Sequence, residues 1–212
     1  MAPPPALSPL TVLEKLQPLT SVAVHQALRS LAGGSGTLRC AVAWSGGLDS
    51  TVLLHALRTP PPEGPRVRLR ALHVDHGLQP AAAAFRNFCQ RTARRWRLPL
   101  AVLRVRVDQK DGDSLEQAAR IARRAALAAA LEPGELLLTA QHADDQLETV
   151  LLALLRGAGP KGLAGMPAAM PLQHTRLLRP LLQFRRAAIA SYAATEGLDW
   201  VEDPTNADVR FD

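Results

Sequence analysis

At 212 residues the chain is long enough for one domain, or one domain and a small appendage, with a substantial buried core. Its apolar share of 47% is ordinary for a globular protein, and its net charge of +6, carried almost entirely by arginine, suits a polyanionic partner without bearing on the fold. Two cysteines, Cys40 and Cys89, exclude a disulfide framework and a Cys-x-x-Cys pair, as in a cytosolic chain. The start, M-A-P-P-P-A-L-S-P-L, lacks the cationic opening and continuous apolar core of a signal peptide, and no apolar run is long enough to span a bilayer. A cytoplasmic location with no membrane partner is therefore expected.

In chain order, the Pro-rich start gives way to a short helix over Val22–Leu31, which Gly33-Gly34-Ser35-Gly36 ends. Residues 1–36 are expected to form an N-terminal segment ahead of a main domain over 37–212. There the patterning predicts strands at Leu38–Trp44, Val67–Val74, Leu100–Val107 and Leu136–Ala140. Helices are expected at Thr51–Leu57, Ala81–Arg97, Ser114–Leu131 and Asp144–Leu155, and a fifth at Phe184–Glu196 follows a short apolar stretch, Leu177–Leu182. The prolines of Thr59–Pro65 stop a helix and favour extended chain, so this stretch reads as a surface loop. Strands alternating with helices mean βαβ units: an α/β fold with a parallel sheet covered on both faces. Ligands of such sheets bind beyond the C-terminal ends of the strands. The polar clusters Ser45–Ser50, His73–Gly77 and Gln141–Asp145, which end the first, second and fourth strands, are thus expected to meet on one rim.

The first cluster is the most informative. Cys40 to His55 reads C-A-V-A-W-S-G-G-L-D-S-T-V-L-L-H, an apolar strand running through a Ser-Gly-Gly-x-Asp-Ser turn into an apolar helix. Gly46 and Gly47 permit a close backbone approach to a ligand, Ser45 and Ser50 supply hydroxyls, and the helix points the positive end of its dipole at the same spot. That is a phosphate site. A carboxylate there is repulsive unless a cation lies between, so Asp49 reads as a Mg2+ contact, because Mg2+ combines one or two carboxylates with phosphate oxygens. The spacing is not that of a Walker A loop, and no lysine follows the turn. It resembles the PP-loop of the N-type ATP pyrophosphatases, which hold the pyrophosphate end of ATP while a substrate is adenylated. A plain Gly-Gly turn would leave the Asp unexplained.

His73, Asp75 and His76 are either metal ligands, nucleotide contacts or, for His73, a packed strand-end side chain. Zinc sites usually show closed ligand sets, which favours the nucleotide reading. Asp144 and Glu148 fall four apart on one helix face, where a substrate amine would find its counter-charge. Acidic residues also suit a helix N-terminus, but capping explains one Asp and not His-x-Asp-Asp-x-x-Glu-Thr after a strand. Glu116 and Arg120 have i, i+4 spacing, worth a few tenths of a kcal/mol as a surface pair. Arg91, Arg94, Arg95, Arg97, Arg123 and Arg124 make solvated helix faces by default and a tRNA-facing patch by hypothesis.

Taken together, A-W-S-G-G-L-D-S-T-V-L-L-H, H-V-D-H-G-L-Q-P, E-Q-A-A-R-I-A-R, T-A-Q-H-A-D-D-Q-L-E-T-V-L-L-A-L-L-R-G-A-G-P-K-G-L-A-G-M, R-P-L-L and E-D-P-T-N closely resemble the tRNA(Ile)-lysidine synthetases, from about Cys40 to the last residue. The resemblance implies a Rossmann-like fold of the adenine nucleotide alpha hydrolase kind. It also implies a ligase that uses ATP and Mg2+ to activate the wobble cytidine of a CAU-anticodon tRNA(Ile) and joins L-lysine to C2, giving lysidine, AMP and pyrophosphate. By the same resemblance Ser45, Gly46, Gly47, Leu48, Asp49 and Ser50 bind ATP, with His73, Asp75 and His76 near the adenosine. Arg120 touches phosphate, and His142, Asp144 and Asp145 surround the reacting centre, with Asp49 and Asp145 as Mg2+ contacts and Glu148 orienting the substrate. A homodimer is the assembly expected. Two departures stand out: Gln141 sits where the family often has a second histidine, and the family continues beyond Asp212 with an Arg-Asn pair and C-terminal tRNA-gripping parts, expected to be missing here. The alternatives are a tRNA cytidine thiolase, whose chemistry calls for further cysteines, and a truncated ATP- or tRNA-binding module without catalysis.

Overall fold

The computed structural model describes residues 18–34, 36–60, 66–75, 82–105 and 115–202. The elements are α1 (Ser21–Ala32), β1 (Leu38–Ala43), α2 (Leu48–Arg58), β2 (Val67–Asp75), α3 (Ala82–Trp96), β3 (Leu100–Arg104), α4 (Leu115–Ala129), β4 (Glu135–Leu138), α5 (Ala143–Leu155), a 3-10 turn (Gly162–Ala164), β5 (Ala169–Leu172), β6 (Thr175–Leu178) and α6 (Arg186–Thr195). They form one six-stranded sheet in the order β3-β2-β1-β4-β6-β5, parallel throughout except for β5, which runs antiparallel to β6 at the edge. The α/β expectation holds, with a mixed edge that the patterning did not reveal. Pro171 lies inside β5, where an edge strand tolerates its missing N–H, and Gln173 takes a positive φ of 49° in the hairpin turn.

The sheet separates two apolar layers. Cys40, Val42 and Trp44 face a large core with α1, α2, α3 and α6, while Ala41 and Ala43 face a smaller one with Leu127, Ala128 and Leu131 of the α4 end. This alternation along β1 is what period-2 side chains require of a central strand covered on both faces. Helix α2 is apolar all round and its residues Ser50 to Leu57 are all buried, because α1 and α6 flank it over the sheet. Helix α1 is held at both ends. Thr20 caps it by accepting from the Ala23 amide, and the Arg176 guanidinium on β6 donates to the Leu31 and Ala32 carbonyls. Its His25 donates from Nε2 to the Thr59 carbonyl at 3.0 Å, tying α1 to the end of α2.

Element boundaries moved for identifiable reasons. α2 begins at Leu48 rather than Thr51, with Gly47 in extended conformation (φ −78°, ψ 170°) as its N-cap, so Leu48, Asp49 and Ser50 belong to the helix. β4 begins one residue early, at Glu135, a carboxylate only 3% exposed. Arg70 on β2 grips it with two bonds of 2.7 and 2.6 Å, the fork geometry that makes burial of a charge tolerable. Burial alone would push the Glu135 carboxyl up, and Arg70 with the Glu132 amide holds it below the ordinary range instead. The end of the expected third strand, Arg106 and Val107, lies outside the described residues.

Leu28 of α1 is fully buried while Val22 on the same helix is 43% exposed. Leu28→Ala is expected to cost about 2–5 kcal/mol in urea unfolding, whereas Val22→Ala stays within about 0.5 kcal/mol.

Candidate active site

β1 and β4 lie side by side, and the chain departs from them toward opposite ends of the sheet. That divergence leaves a crevice above their C-terminal ends, the usual ligand position in an open α/β sheet. The Trp44–Gly47 turn opens into it from one side and Thr139–His142 from the other.

The turn is organised by two hydroxyls. Ser50 Oγ accepts from the Ser45 amide (3.2 Å) and lies 3.0 Å from Ser45 Oγ, which in turn accepts from the Gly47 amide (3.2 Å). Gly46 has φ +96°, and a Cβ there would sit 3.2 Å from Cys89 Sγ and 3.4 Å from Phe85 and Phe88 of α3, so a side chain would be strained by the backbone and crowded by α3. The Gly46 carbonyl accepts from Val201 at 3.0 Å, which fastens the turn to the segment after α6. The first-turn amides of α2 have no intrahelical acceptors and face the crevice mouth as a helix N-terminus does.

Asp49 lies in that first turn. Its Oδ1 is buried without a hydrogen-bond partner, 3.7 Å from His142 Nε2. Burial pushes the Asp49 carboxyl above its usual range and Asp145 adds to the push, while His142 and Arg186 pull it back. His142, 5% exposed, is the N-cap of α5 in a reciprocal box: its Nδ1 accepts from the Asp145 amide (3.4 Å) and Asp145 Oδ2 accepts from the His142 amide (2.9 Å). With Nδ1 accepting, a neutral ring carries its proton on Nε2, toward Asp49. Asp144 Oδ2 accepts from the Arg186 amide at 2.8 Å, so it caps α6, and its Oδ1 lies 3.8 Å from Arg185. The N-termini of α2, α5 and α6 therefore converge on three carboxylates and one imidazole. Among the described residues no three His, Cys, Asp or Glu side chains close into a metal ligand set of their own.

The strand-end rule thus joins Asp49, His142, Asp144 and Asp145, along with Ser45, Gly46, Gly47, Leu48 and Ser50. His73 is 4% exposed, and its Nδ1 donates to the Trp44 carbonyl at 2.9 Å beside Cys89. Burial lowers its pKa, with Asp75 pulling the other way. It buttresses the turn from behind. Asp75 is 6% exposed and bound by Arg86 of α3 at 2.7 Å. Arg120 and Glu148 are exposed on α4 and α5. His76 and the Glu116 side chain lie outside the described residues. Arg86, Arg185 and Arg186 were not singled out in the sequence. An arginine opposite a buried strand-end Asp is the signal that would have found Arg86, while Arg185 and Arg186 arrive from 41 and 42 residues after Asp144.

Fold and loop define a nucleotide-binding class, and the chain belongs to the PP-loop domain family, whose model matches residues 20–212. The family is an ATP-binding one. Among curated proteins, the chain is 50% identical over 212 residues to the tRNA(Ile)-lysidine synthase of Alkalilimnicola ehrlichii, covering all of this chain and 44% of that protein. It is 55% identical over 170 residues to the protein of the same name from Pseudomonas aeruginosa, covering 80% of this chain and 38% of that one. The chain thus spans less than half the length of these relatives. Among solved structures, the U34-tRNA thiolase NcsA from Methanococcus maripaludis, with its [4Fe-4S] cluster, shares the fold at a TM-score of 0.71 and 17% identity over 85% of this chain and 64% of that chain. Phosphoadenylyl-sulfate reductase from Candida auris follows at a TM-score of 0.51 and 12% identity, over 92% of this chain and 90% of that one.

The raised Asp49 pKa fixes a stability test. An ionised Asp49 costs stability above its folded pKa, and the cost vanishes below the unfolded value, where both states are protonated. Asp49→Asn is therefore expected to raise the melting temperature at pH 7, with the gain shrinking as pH falls into the ordinary carboxylate range. A pH series of thermal melts checks both parts.

Proposed function

We propose that this chain is the adenylating domain of a tRNA(Ile)-lysidine synthetase, joining L-lysine to C2 of the wobble cytidine of a CAU-anticodon tRNA(Ile) with ATP. The observation that carries the reading is the unpartnered Asp49 oxygen, buried at a phosphate turn and facing His142, Asp144 and Asp145 across the crevice. A carboxylate oxygen buried without a hydrogen-bond donor, on a side chain that is otherwise partly open to the crevice, fits a cation shared with phosphate, and Mg2+ suits one or two carboxylates completed by phosphate oxygens and water. Bound there, Mg2+ would neutralise charge on the departing pyrophosphate. Asp145 keeps Oδ1 free of its capping bond and so supplies the second contact.

The protein's own groups divide the work between the two steps. The loop amides of Leu48, Asp49 and Ser50 and the hydroxyls of Ser45 and Ser50 hold the polyphosphate, exchanging bonds inside the turn for bonds to ligand. Cytidine O2 attacks the α-phosphate and pyrophosphate leaves; the lysine ε-amine then attacks C2 and AMP leaves. Before that attack the amine must give up a proton, for which His142, Asp144 and Asp145 are the groups at hand, and Glu148 lies one turn further along α5 as a substrate-orienting charge. Arg120, exposed on α4 and without a hydrogen bond or ion pair among the described residues, is available to phosphate. His73 and Asp75, fixed under the turn and by Arg86, shape the adenosine side of the crevice. Thiolation finds no support in the two cysteines present. Both are buried, and burial pushes each thiol up to about 12.

The test incubates the chain with ATP, Mg2+, lysine and a CAU-anticodon tRNA(Ile), following AMP release and the mass of the wobble nucleoside. Lysine-dependent AMP with a lysine-sized mass gain is expected, and ATP binding without RNA-dependent AMP would reduce the chain to a binding module. In the active preparation Asp49→Ala is expected to abolish AMP formation, by on the order of 10²-fold or more, while the fold survives. Arg120→Ala is expected to lower turnover far more than melting temperature, and the reverse pattern would make Arg120 a structural residue.

A further inference from the structure

Three helices of this molecule end in the same way. After α5, Gly157 turns left-handed (φ 69°), its amide bonds Leu154 O, and the next amide, of Ala158, bonds Ala153 O. After α6, Gly197 (φ 58°) and Leu198 repeat the pattern on Ala194 O and Ala193 O. After α3, the same two bonds run from Arg97 to Arg94 O (3.1 Å) and from Leu98 to Ala93 O (2.9 Å), but the left-handed residue, at φ 51°, is an arginine. Glycine is the residue that occupies this conformation without steric cost. The molecule uses it twice and forgoes it once.

The side chain gained by that exception lines a cavity. Arg94, Arg97 and Gln90 line an open hollow of about 420 Å3 together with Leu98, Pro99 and Leu100. Neither guanidinium has a hydrogen bond or ion pair among the described residues, whereas neighbouring Arg95 lies 3.6 Å from Asp199 and Arg86 is held by Asp75. A favourable pairing with the helix dipole accounts for basic residues in the last turn, such as Arg94 and Arg95, and does not require one in a left-handed position after it. Two unpaired arginines lining one solvent-open hollow larger than a single phosphate suit the recognition of a phosphodiester and its sugar. The hollow adjoins the start of β3, whose Leu100 lies level, through Ala71 of β2, with Val42 and Leu138 near the ends of β1 and β4, two strand spacings or roughly 10 Å across the sheet from β1.

We propose that Arg94 and Arg97 hold a backbone phosphodiester of the RNA substrate at a point away from the reacting nucleotide. The proposal rests on the RNA-directed reading above and adds a place and a ligand chemistry to it. The experiment compares the chain with Arg97→Gly, Arg94→Gln and the double variant. It measures anisotropy of a dye-labelled CAU-anticodon tRNA(Ile) transcript over a salt series, ATP affinity without RNA, and melting temperature. Each single substitution is expected to weaken RNA binding roughly 5- to 10-fold and to flatten the log–log salt slope by about 1, with ATP affinity unchanged. Arg97→Gly is expected to raise the melting temperature at the same time, a combination that a purely structural arginine would not give. RNA affinity and salt slope equal to wild type in Arg97→Gly and Arg94→Gln would overturn the proposal while leaving the RNA-directed reading in place. Loss confined to inorganic phosphate binding at matched ionic strength would overturn it in favour of a small-anion site. A wild-type chain that binds ATP but no RNA would remove both.

Discussion

The parallel ladder between β1 and β4 is the constraint on which the site depends. Four residue pairs, from Arg39 with Glu135 to Val42 with Leu138, bring together strands far apart in sequence and stop them at the same height. Asp49 and His142 meet only because the chain then leaves β1 in one direction and β4 in the other. The same ladder explains the Arg70–Glu135 pair. It ties β2 to β4 across β1 at the foot of the sheet, so the register that aligns the two strand ends at the crevice is fixed at the opposite end by a buried bidentate bond.

Above that ladder the electrostatics oppose one another by design of the backbone. Three carboxylates crowd around one imidazole, an arrangement that self-repulsion and desolvation disfavour. Three helix N-termini answer them: Asp145 and His142 cap α5, Asp144 caps α6, and Asp49 sits in the first turn of α2. Of these four side chains Asp49 is the one with an oxygen, Oδ1, buried without a donor, and Thr139 Oγ1 and Gln141 Oε1 on the facing side of the crevice share that state. Capping and chemistry are thus the same residues performing two tasks, which is why the choice between a capping and a functional reading of Asp144 and Asp145 was posed too sharply.

Much of this was legible because strand ends and glycine turns are local signals. The Ser45–Ser50 turn, the acidic start of α5 and their meeting on one rim follow from apolar runs broken by polar residues in strand–turn–helix order. What was not legible is long-range. Nothing near Asp144 announces Arg185 or Arg186, and nothing near Gly46 announces that α3 passes within contact distance or that Val201 will bond its carbonyl. The β5–β6 hairpin was hidden by Pro171, which argues against a strand anywhere but at an edge. β4 gained Glu135 because a partner on another strand made a charged residue acceptable there, information that patterning along one segment does not contain.

The tight seat of Gly46 against α3 also bears on oxidation. Cys89 Sγ packs against the Ser45–Ser50 turn, so an adduct there would have to grow into space that is already tight for a Cβ on Gly46. Thiols react as thiolates, and burial pushes this one up to about 12, leaving a vanishing fraction in the reactive form at neutral pH. A cysteine placed under a nucleotide loop is ordinarily a point of vulnerability to peroxide or disulfide exchange. Here the packing that shapes the Ser45–Ser50 turn also shields the sulfur, and the turn is insulated from the redox state of its surroundings.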